Sequence, residues 1–106
     1  MSFDISAVVK DMGAVVKKTL KKDLGDIEDF GKQILENEKE SLELIGKERV
    51  AGRWSEEKFK KELDREKKVM EAELLTIEIM TKAAAQKAVN AAIEVFVKAV
   101  TAALPI

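Results

Sequence analysis

The sequence predicts an all-α protein: a long antiparallel helical hairpin, coiled-coil-like, that dimerises into a four-helix bundle at its open end. Apolar residues recur every three or four positions along almost the whole chain, which is helical periodicity. Charged residues make up 37% of the 106 residues and hydrophobic residues 46%, with one proline, a profile typical of long helices. The clearest stop and start signals lie together at the middle of the chain. We therefore expect one helical-hairpin domain over residues 1–106.

The first arm of the hairpin is predicted over residues 4–51. Asp4 is placed as its N-cap, because a short acidic side chain can accept from free backbone N–H groups of the first turn. The stripe that follows is apolar at steps of three or four and includes Ile5, Val8, Met12, Val15, Val16, Leu20, Leu24, Ile27, Phe30, Ile34, Leu35, Leu42 and Ile45. This spacing places the apolar residues on one face of a helix.

Gly25 is the strongest candidate for a break in the first arm. Lys21 and Lys22 precede it as cations suited to a last helical turn, and Asp26 follows it as a candidate N-cap. The apolar periodicity nevertheless continues across the glycine without a change of phase. This continuity favours one helix, straight or kinked at Gly25, and two separate helices are the alternative.

Residues 51–55 are predicted to form the turn of the hairpin. Gly52 can end the first arm in a left-handed conformation, and Ser55 is a suitable N-cap for the second. Trp54 precedes this cap and Phe59 lies four residues after it, which is the spacing of a hydrophobic staple. Such a short connection implies that the two arms are antiparallel neighbours.

The turn also carries the candidate contact with a partner, formed by Arg53, Trp54 and Phe59. A Trp beside basic residues can stack on a base or dock another protein, although closing a turn is its more common role. A hairpin of this length with a central Trp resembles, in plan, the small Trp-x-Gly hairpin proteins exported by specialised bacterial secretion systems. The order here is reversed, Gly52-Arg53-Trp54, so the resemblance is one of plan alone. It implies a small exported helical-hairpin protein as one functional alternative.

The second arm is predicted over residues 55–104 and ends before Pro105. At about 1.5 Å per residue, each arm would be roughly 70 Å long. Its second half is unusually apolar, since sixteen of the twenty-two residues in Ala83–Leu104 are Ala, Val, Ile, Phe or Leu. A helix that is apolar over most of its circumference requires burial on more than one side.

Self-association is predicted from this apolar surplus. In a hairpin, Ala83–Leu104 lies against Ile5–Leu24, which carries a surplus of its own, and this pair of segments is the open end. A second chain would cover it, and two-fold dimers are the most common closed assemblies. The predicted oligomer interface consists of Val8, Met12, Val15, Val16, Leu20, Val89, Ile93, Phe96, Val100 and Leu104.

Composition limits the chemistry that the chain can perform. It has neither Cys nor His, so disulfides, thiolate nucleophiles and imidazole catalysis are excluded. Glu38 and Glu66 fall near the predicted contact between the two arms, at about the same distance from the turn of the hairpin. Carboxylates are paired in this way in some metal sites of helical bundles, but those sites normally also use His. We interpret them as solvated or Lys-paired charges, for instance Glu38 with Lys67. No enzyme activity, cofactor or metal is expected.

The function predicted is that of a non-enzymatic structural or adaptor protein in the cytoplasm, whose partner is itself or another helical protein. The net charge of −1 gives no reason to expect nucleic acid as a partner. A membrane surface is the alternative partner, because the first twenty-five residues contain five Lys against three Asp beside an apolar face. That alternative would use the Lys-rich N-terminal helix and the apolar C-terminal helix. We recognise neither a signal peptide nor a spanning segment.

Overall fold

Four α-helices make up the part of the chain that the computed structural model describes, which is residues 3–25 and 30–105 without the side chain of Phe30. They are α1 (Ile5–Leu24), α2 (Phe30–Val50), α3 (Glu56–Leu74) and α4 (Lys82–Ala103). Each helix packs against the next in sequence, and α1 also packs against α4. The helices therefore close into a four-helix bundle within a single chain.

The predicted long hairpin is wrong, and so is the prediction that a second chain completes the bundle. The molecule measures 42 × 23 × 19 Å, which is too short for arms of the predicted length. Each predicted arm is instead two helices that fold back on one another. The second pair of helices needed to cover the open end thus comes from the same chain, and only the all-α class and the bundle itself are confirmed.

The first arm ends its first helix at Gly25. This residue has φ 83° and ψ −157°, a conformation that L side chains rarely adopt, and its N–H donates to the Lys21 carbonyl over 2.9 Å. The interpretation of the first arm as one helix was wrong, and its alternative of two helices holds. The predicted cap at Asp26 lies outside the described residues.

The second arm breaks between α3 and α4, where no break was predicted. Leu75 closes α3 by donating its N–H to the Glu71 carbonyl over 3.0 Å. Thr81 then starts α4 as N-cap, its hydroxyl accepting from the Ala84 N–H over 3.1 Å. Between them lie Thr76, Ile77 and Ile79, whose β-branched side chains weaken helix formation.

The turn between α2 and α3 is closed by backbone and side-chain hydrogen bonds. Gly52 has φ 78°, and the Arg53 N–H donates to the Glu48 carbonyl over 3.0 Å. Ser55 is the N-cap of α3, with its hydroxyl accepting from the Lys58 N–H over 3.1 Å. The chain therefore reverses direction in a few residues, and α2 and α3 lie side by side.

Phe96 lies at the centre of one end of the core. Its side chain is fully buried and contacts two other aromatic rings. The Phe3 ring meets it edge-on with centroids 5.9 Å apart, and the Phe59 ring stacks on it at 6.4 Å. These three rings connect the residues just before α1 with α3 and α4. Aromatic pairs of this geometry stabilise the fold beyond what burial of their surface contributes.

Glycines allow α1 and α2 to approach closely. A Cβ built at Gly31 would lie 2.9 Å from the Gly13 carbonyl oxygen and 2.9 Å from the Val16 side chain. A Cβ at Gly46 would overlap the Phe3 ring. Gly31 therefore offsets its low helix propensity by bringing the backbones of α1 and α2 together, and Gly46 does so by making room for the Phe3 ring.

No helix among the described residues carries an apolar stretch long and uncharged enough to cross a membrane.

Candidate functional site

Three glutamates lie together where α2 packs against α3. Glu38 comes from α2, and Glu66 and Glu73 come from α3. Glu66 is 6% exposed and occupies a core position of α3, between Leu63 and Met70. Carboxylates are almost never so deeply buried unless they are paired. We call this cluster of Glu38, Glu66 and Glu73, with the residues beside it, the acidic seam.

Few donors reach the carboxylates of the acidic seam. Ser41 Oγ donates to Glu66 Oε2 over 2.8 Å, and the nearby Asn37 side chain acts to lower the pKa of Glu73, against the larger effect of burial. Glu66 Oε1 and Glu73 Oε2 are buried, and neither has a hydrogen-bond partner among the described residues. A buried acceptor without a donor costs on the order of 1–3 kcal/mol, more when charged, so the seam has unused capacity for a donor.

Burial and neighbouring charge raise the pKa values of Glu38 and Glu73. Burial raises the pKa of Glu38 above its ordinary value, and the nearby charge of Glu66 raises it further. Burial likewise raises the pKa of Glu73, with the charge of Glu38 as the second cause. Like charges this close disfavour ionisation, so Glu38 and Glu73 hold their protons to higher pH than an isolated carboxyl does.

Apolar side chains remain exposed beside the acidic seam. Leu44 on α2 is 56% exposed and Val69 on α3 is 40% exposed. Leu44 lies three residues after Ser41, and Val69 lies three residues after Glu66, so each is on the same stripe of its helix as a seam residue. The seam thus combines apolar contact surface with negative charge.

The seam continues into a shallow pocket at the end where α2 starts and α3 finishes. The pocket has a volume of about 330 Å³ and is lined by Gln33, Ile34, Asn37, Glu73, Thr76 and Ile77. Beyond it, the α3–α4 connection exposes Leu75 by 42% and Ile79 by 54%. Exposed apolar side chains therefore occur on α2, on α3 and on the connection that follows α3.

The interpretation of the glutamates as solvated or Lys-paired charges was wrong for Glu66. Its position in the apolar stripe of α3 withdraws it from solvent, and Glu38 contacts Glu66 and Glu73. Among the described residues, no group of three or more potential ligands is arranged to hold a metal ion.

The residues predicted to contact a partner at the turn have different roles in the structure. The Arg53 guanidinium is occupied by two hydrogen bonds to the Glu48 carboxylate, at 2.7 and 3.0 Å. Phe59 is 6% exposed and belongs to the core. Trp54 is half-buried, with the Lys58 ammonium 5.0 Å from its ring centroid. Only part of the Trp54 surface is left for another molecule, and contact there stays a prediction.

The predicted oligomer interface is for the most part covered within the chain. Eight of its ten residues are buried, namely Val8, Met12, Val16, Leu20, Val89, Ile93, Phe96 and Val100, while Val15 and Leu104 are half-buried. The apolar surplus that led to the prediction is thus met by α2 and α3. Self-association stays a prediction, but uncovered apolar surface between α1 and α4 no longer supports it.

Comparison of the chain with protein-family models, with curated proteins and with solved structures finds no match in any of the three.

Proposed function

We propose that this chain is a non-enzymatic adaptor that binds a cationic amphipathic helix of another protein along its acidic seam. The observation that carries the proposal is Glu66, a buried carboxylate with one oxygen that lacks a hydrogen-bond donor. A Lys or Arg side chain of a bound helix would supply that donor. Hydrogen bonds to charged groups are stronger than neutral ones, by roughly a factor of two.

Exposed apolar side chains near the acidic seam add to this support. Among the described residues, the large apolar side chains that remain exposed are Leu44, Val69, Leu75 and Ile79. They lie on α2, on α3 and on the connection after α3. An amphipathic helix binds in a groove through apolar anchors spaced three or four residues apart, and the exposed residues offer contacts for such anchors.

Charge favours a basic partner over a second copy of this chain. Two acidic seams facing each other across a two-fold axis would bring carboxylates of like charge together, which opposes association. A cationic helix would instead meet complementary charge, which raises its association rate and orients it on the seam.

A titration with two synthetic peptides tests the proposal. Both form amphipathic helices with the same Leu spacing, and one carries Lys on its polar face where the other carries Glu. In NMR spectra of ¹⁵N-labelled protein, we expect saturable shifts of the Asn37, Ser41, Leu44 and Val69 amides with the Lys peptide only. Equal shifts with both peptides, or shifts confined to other faces, would contradict the proposal.

Glu66→Gln is the variant for this titration and Glu94→Gln is its matched control. Both changes remove one negative charge, but Glu94 is exposed on α4 and pairs with Lys98 over 3.5 Å. We expect Glu66→Gln to weaken binding of the Lys peptide, while Glu94→Gln leaves it nearly unchanged. Equal weakening by both variants would indicate a general charge attraction in place of a site.

A further inference from the structure

A second groove runs along the opposite side of α2, between α2 and α1. It has a volume of about 560 Å³, within the range of roughly 300–1,000 Å³ that small-molecule sites occupy. Val9, Gly13 and Leu35 are among the residues at its surface, together with Ser6 and Ala14. We call it the α1–α2 groove.

Lysines from both helices line this groove. Lys10 and Lys17 come from α1, and Lys32 and Lys39 come from α2. Glu36 is the one carboxylate among the residues that line it. The close approach of α1 and α2 at Gly13 and Gly31 keeps the lysine-bearing turns of the two helices near each other.

Ion pairs hold some lysines of the chain but not all of them. Lys47, Lys60 and Lys98, on other helix surfaces, each pair with a carboxylate four residues away, at 3.5–3.7 Å. No carboxylate of the described residues lies within ion-pair distance of Lys10, Lys17 or Lys39. The positive charge of Lys10, Lys17 and Lys39 is therefore not neutralised by an ion pair, although the chain as a whole is nearly neutral, at −1.

We infer that the α1–α2 groove binds a ligand that bears phosphate groups. Ammonium groups are point charges with three donors each, and they recognise phosphate without the planar geometry that a guanidinium requires. The groove is larger than one phosphate ion needs, so a ligand with several phosphates or with an organic part is favoured. None of its lining residues is aromatic, so the base stacking that holds single-stranded nucleic acid is not provided.

This site is independent of the acidic seam, because it uses another face of α2 and the opposite sign of charge. The same phosphate chemistry has two sources, a soluble phosphate compound and the headgroup of an anionic lipid. Both are tested with the complete chain. Inorganic tripolyphosphate is titrated by calorimetry at physiological ionic strength, and vesicles of phosphatidylcholine with or without phosphatidylglycerol are tested by co-sedimentation.

The variant is the triple change Lys10→Gln, Lys17→Gln and Lys39→Gln. Its matched control is Lys47→Gln, Lys60→Gln and Lys98→Gln, which removes the same charge from lysines on other surfaces. Exposed ion pairs contribute about 0–1 kcal/mol each, so the control protein should fold. Circular dichroism of both variants verifies that they are helical.

We expect the groove variant to weaken binding by about tenfold or more, and the control by about twofold or less. Salt screens charges that lie far from the ligand, so lysines outside the groove should contribute little. Binding of tripolyphosphate supports a soluble ligand, and binding only of vesicles with phosphatidylglycerol supports a lipid headgroup. Equal loss in both variants would overturn the inference, as would the absence of binding in both assays.

Discussion

The α1–α4 and α2–α3 pairs of helices are packed in different ways. The residues that α1 and α4 bury are apolar, and those of α4 include Ala85, Ala88 and Ala92, whose small side chains permit close contact. Where α2 meets α3, a carboxylate occupies a core position at Glu66, and large apolar residues such as Leu44 remain in solvent. The contact between α1 and α4 therefore buries apolar side chains, whereas the contact between α2 and α3 buries a carboxylate and leaves large apolar side chains exposed.

This difference separates the part of the molecule that stabilises the fold from the part that is available for binding. Apolar burial contributes on the order of 25 cal/mol per Å², and it is concentrated where α4 packs. A buried carboxylate contributes little or costs free energy unless it is fully hydrogen-bonded. We therefore regard α1 and α4 as the stable framework and the acidic seam as the face that gains most from a ligand.

The largest effect is expected from the framework. Phe96→Ala should lower the free energy of unfolding by about 3–5 kcal/mol, the usual cost of removing a buried Phe. It would also remove the contacts with Phe3 and Phe59. Urea denaturation followed by circular dichroism measures the change. Val95→Ala, at a half-buried position of α4, is the control and should cost clearly less.

Two neighbouring glycines should respond with opposite signs. Gly31→Ala places a Cβ 2.9 Å from the Gly13 carbonyl oxygen, so backbone must move, and we expect a loss of about 1–3 kcal/mol. Gly13→Ala meets its nearest atoms at 3.9 Å, an ordinary contact, so the gain in helix propensity of up to about 1 kcal/mol should remain. Thermal unfolding of both variants compares them. The same sign in both would contradict the close approach described for α1 and α2.

At the acidic seam, an apolar substitution should stabilise the protein. Glu66→Met replaces a buried carboxylate with an apolar side chain of similar length, and we expect a gain of about 1 kcal/mol at neutral pH. Ser41 loses its partner but is exposed and can bond to water. Glu94→Met on exposed α4 surface is the control and should change stability by no more than about 0.5 kcal/mol. A clear loss of stability in Glu66→Met would show that the carboxylate stabilises the fold.

A smaller effect is expected from pH. The pKa values of Glu38 and Glu73 are raised above the ordinary 4.5, so the folded state holds these protons more tightly than the unfolded state. Their contribution to stability is present at low pH and is lost as pH rises from about 4.5 through the folded-state pKa values. The Arg53 hydrogen bond lowers the pKa of Glu48, whose contribution is lost as pH falls below that region.

The melting temperature should therefore rise when the pH is lowered from neutral through the raised pKa values of Glu38 and Glu73. Glu38→Gln should flatten this rise, since it removes one of the two groups responsible. Differential scanning calorimetry at constant ionic strength measures the profile. A melting temperature that falls steadily over this range in the wild-type protein would contradict the description of the seam.

The surplus of apolar surface was predictable from the sequence, but the helices that cover it were not. Ala83–Leu104 does require burial on more than one side, and the structure provides it. Periodicity along the chain does not distinguish cover by a second chain from cover by helices of the same chain. The break at residues 75–81 has only the weak signal of Thr76, Ile77, Ile79 and Thr81, since β-branched residues also occur within helices.

The pairing of Glu38 with Glu66 was indicated by the sequence, but the burial of Glu66 was not predicted. Phe59, Leu63, Met70 and Leu74 form the apolar stripe of α3, and Glu66 occupies the position in that stripe between Leu63 and Met70. A charge within an apolar stripe indicates either a buried polar group or the edge of the core. The seam itself was not predictable in full, because its partners on α2 depend on how the two helices are aligned.

Hydrogen exchange of individual amides tests most directly whether the framework and the acidic seam differ in stability. Exchange reports the free energy of local opening, which varies across a structure. We expect the slowest exchange at Met12 and Val16 on α1 and at Ala88 and Ala92 on α4, and exchange about tenfold faster or more at Glu66 on α3. Equal protection of α3 and α4, or slower exchange in α3, would contradict the account.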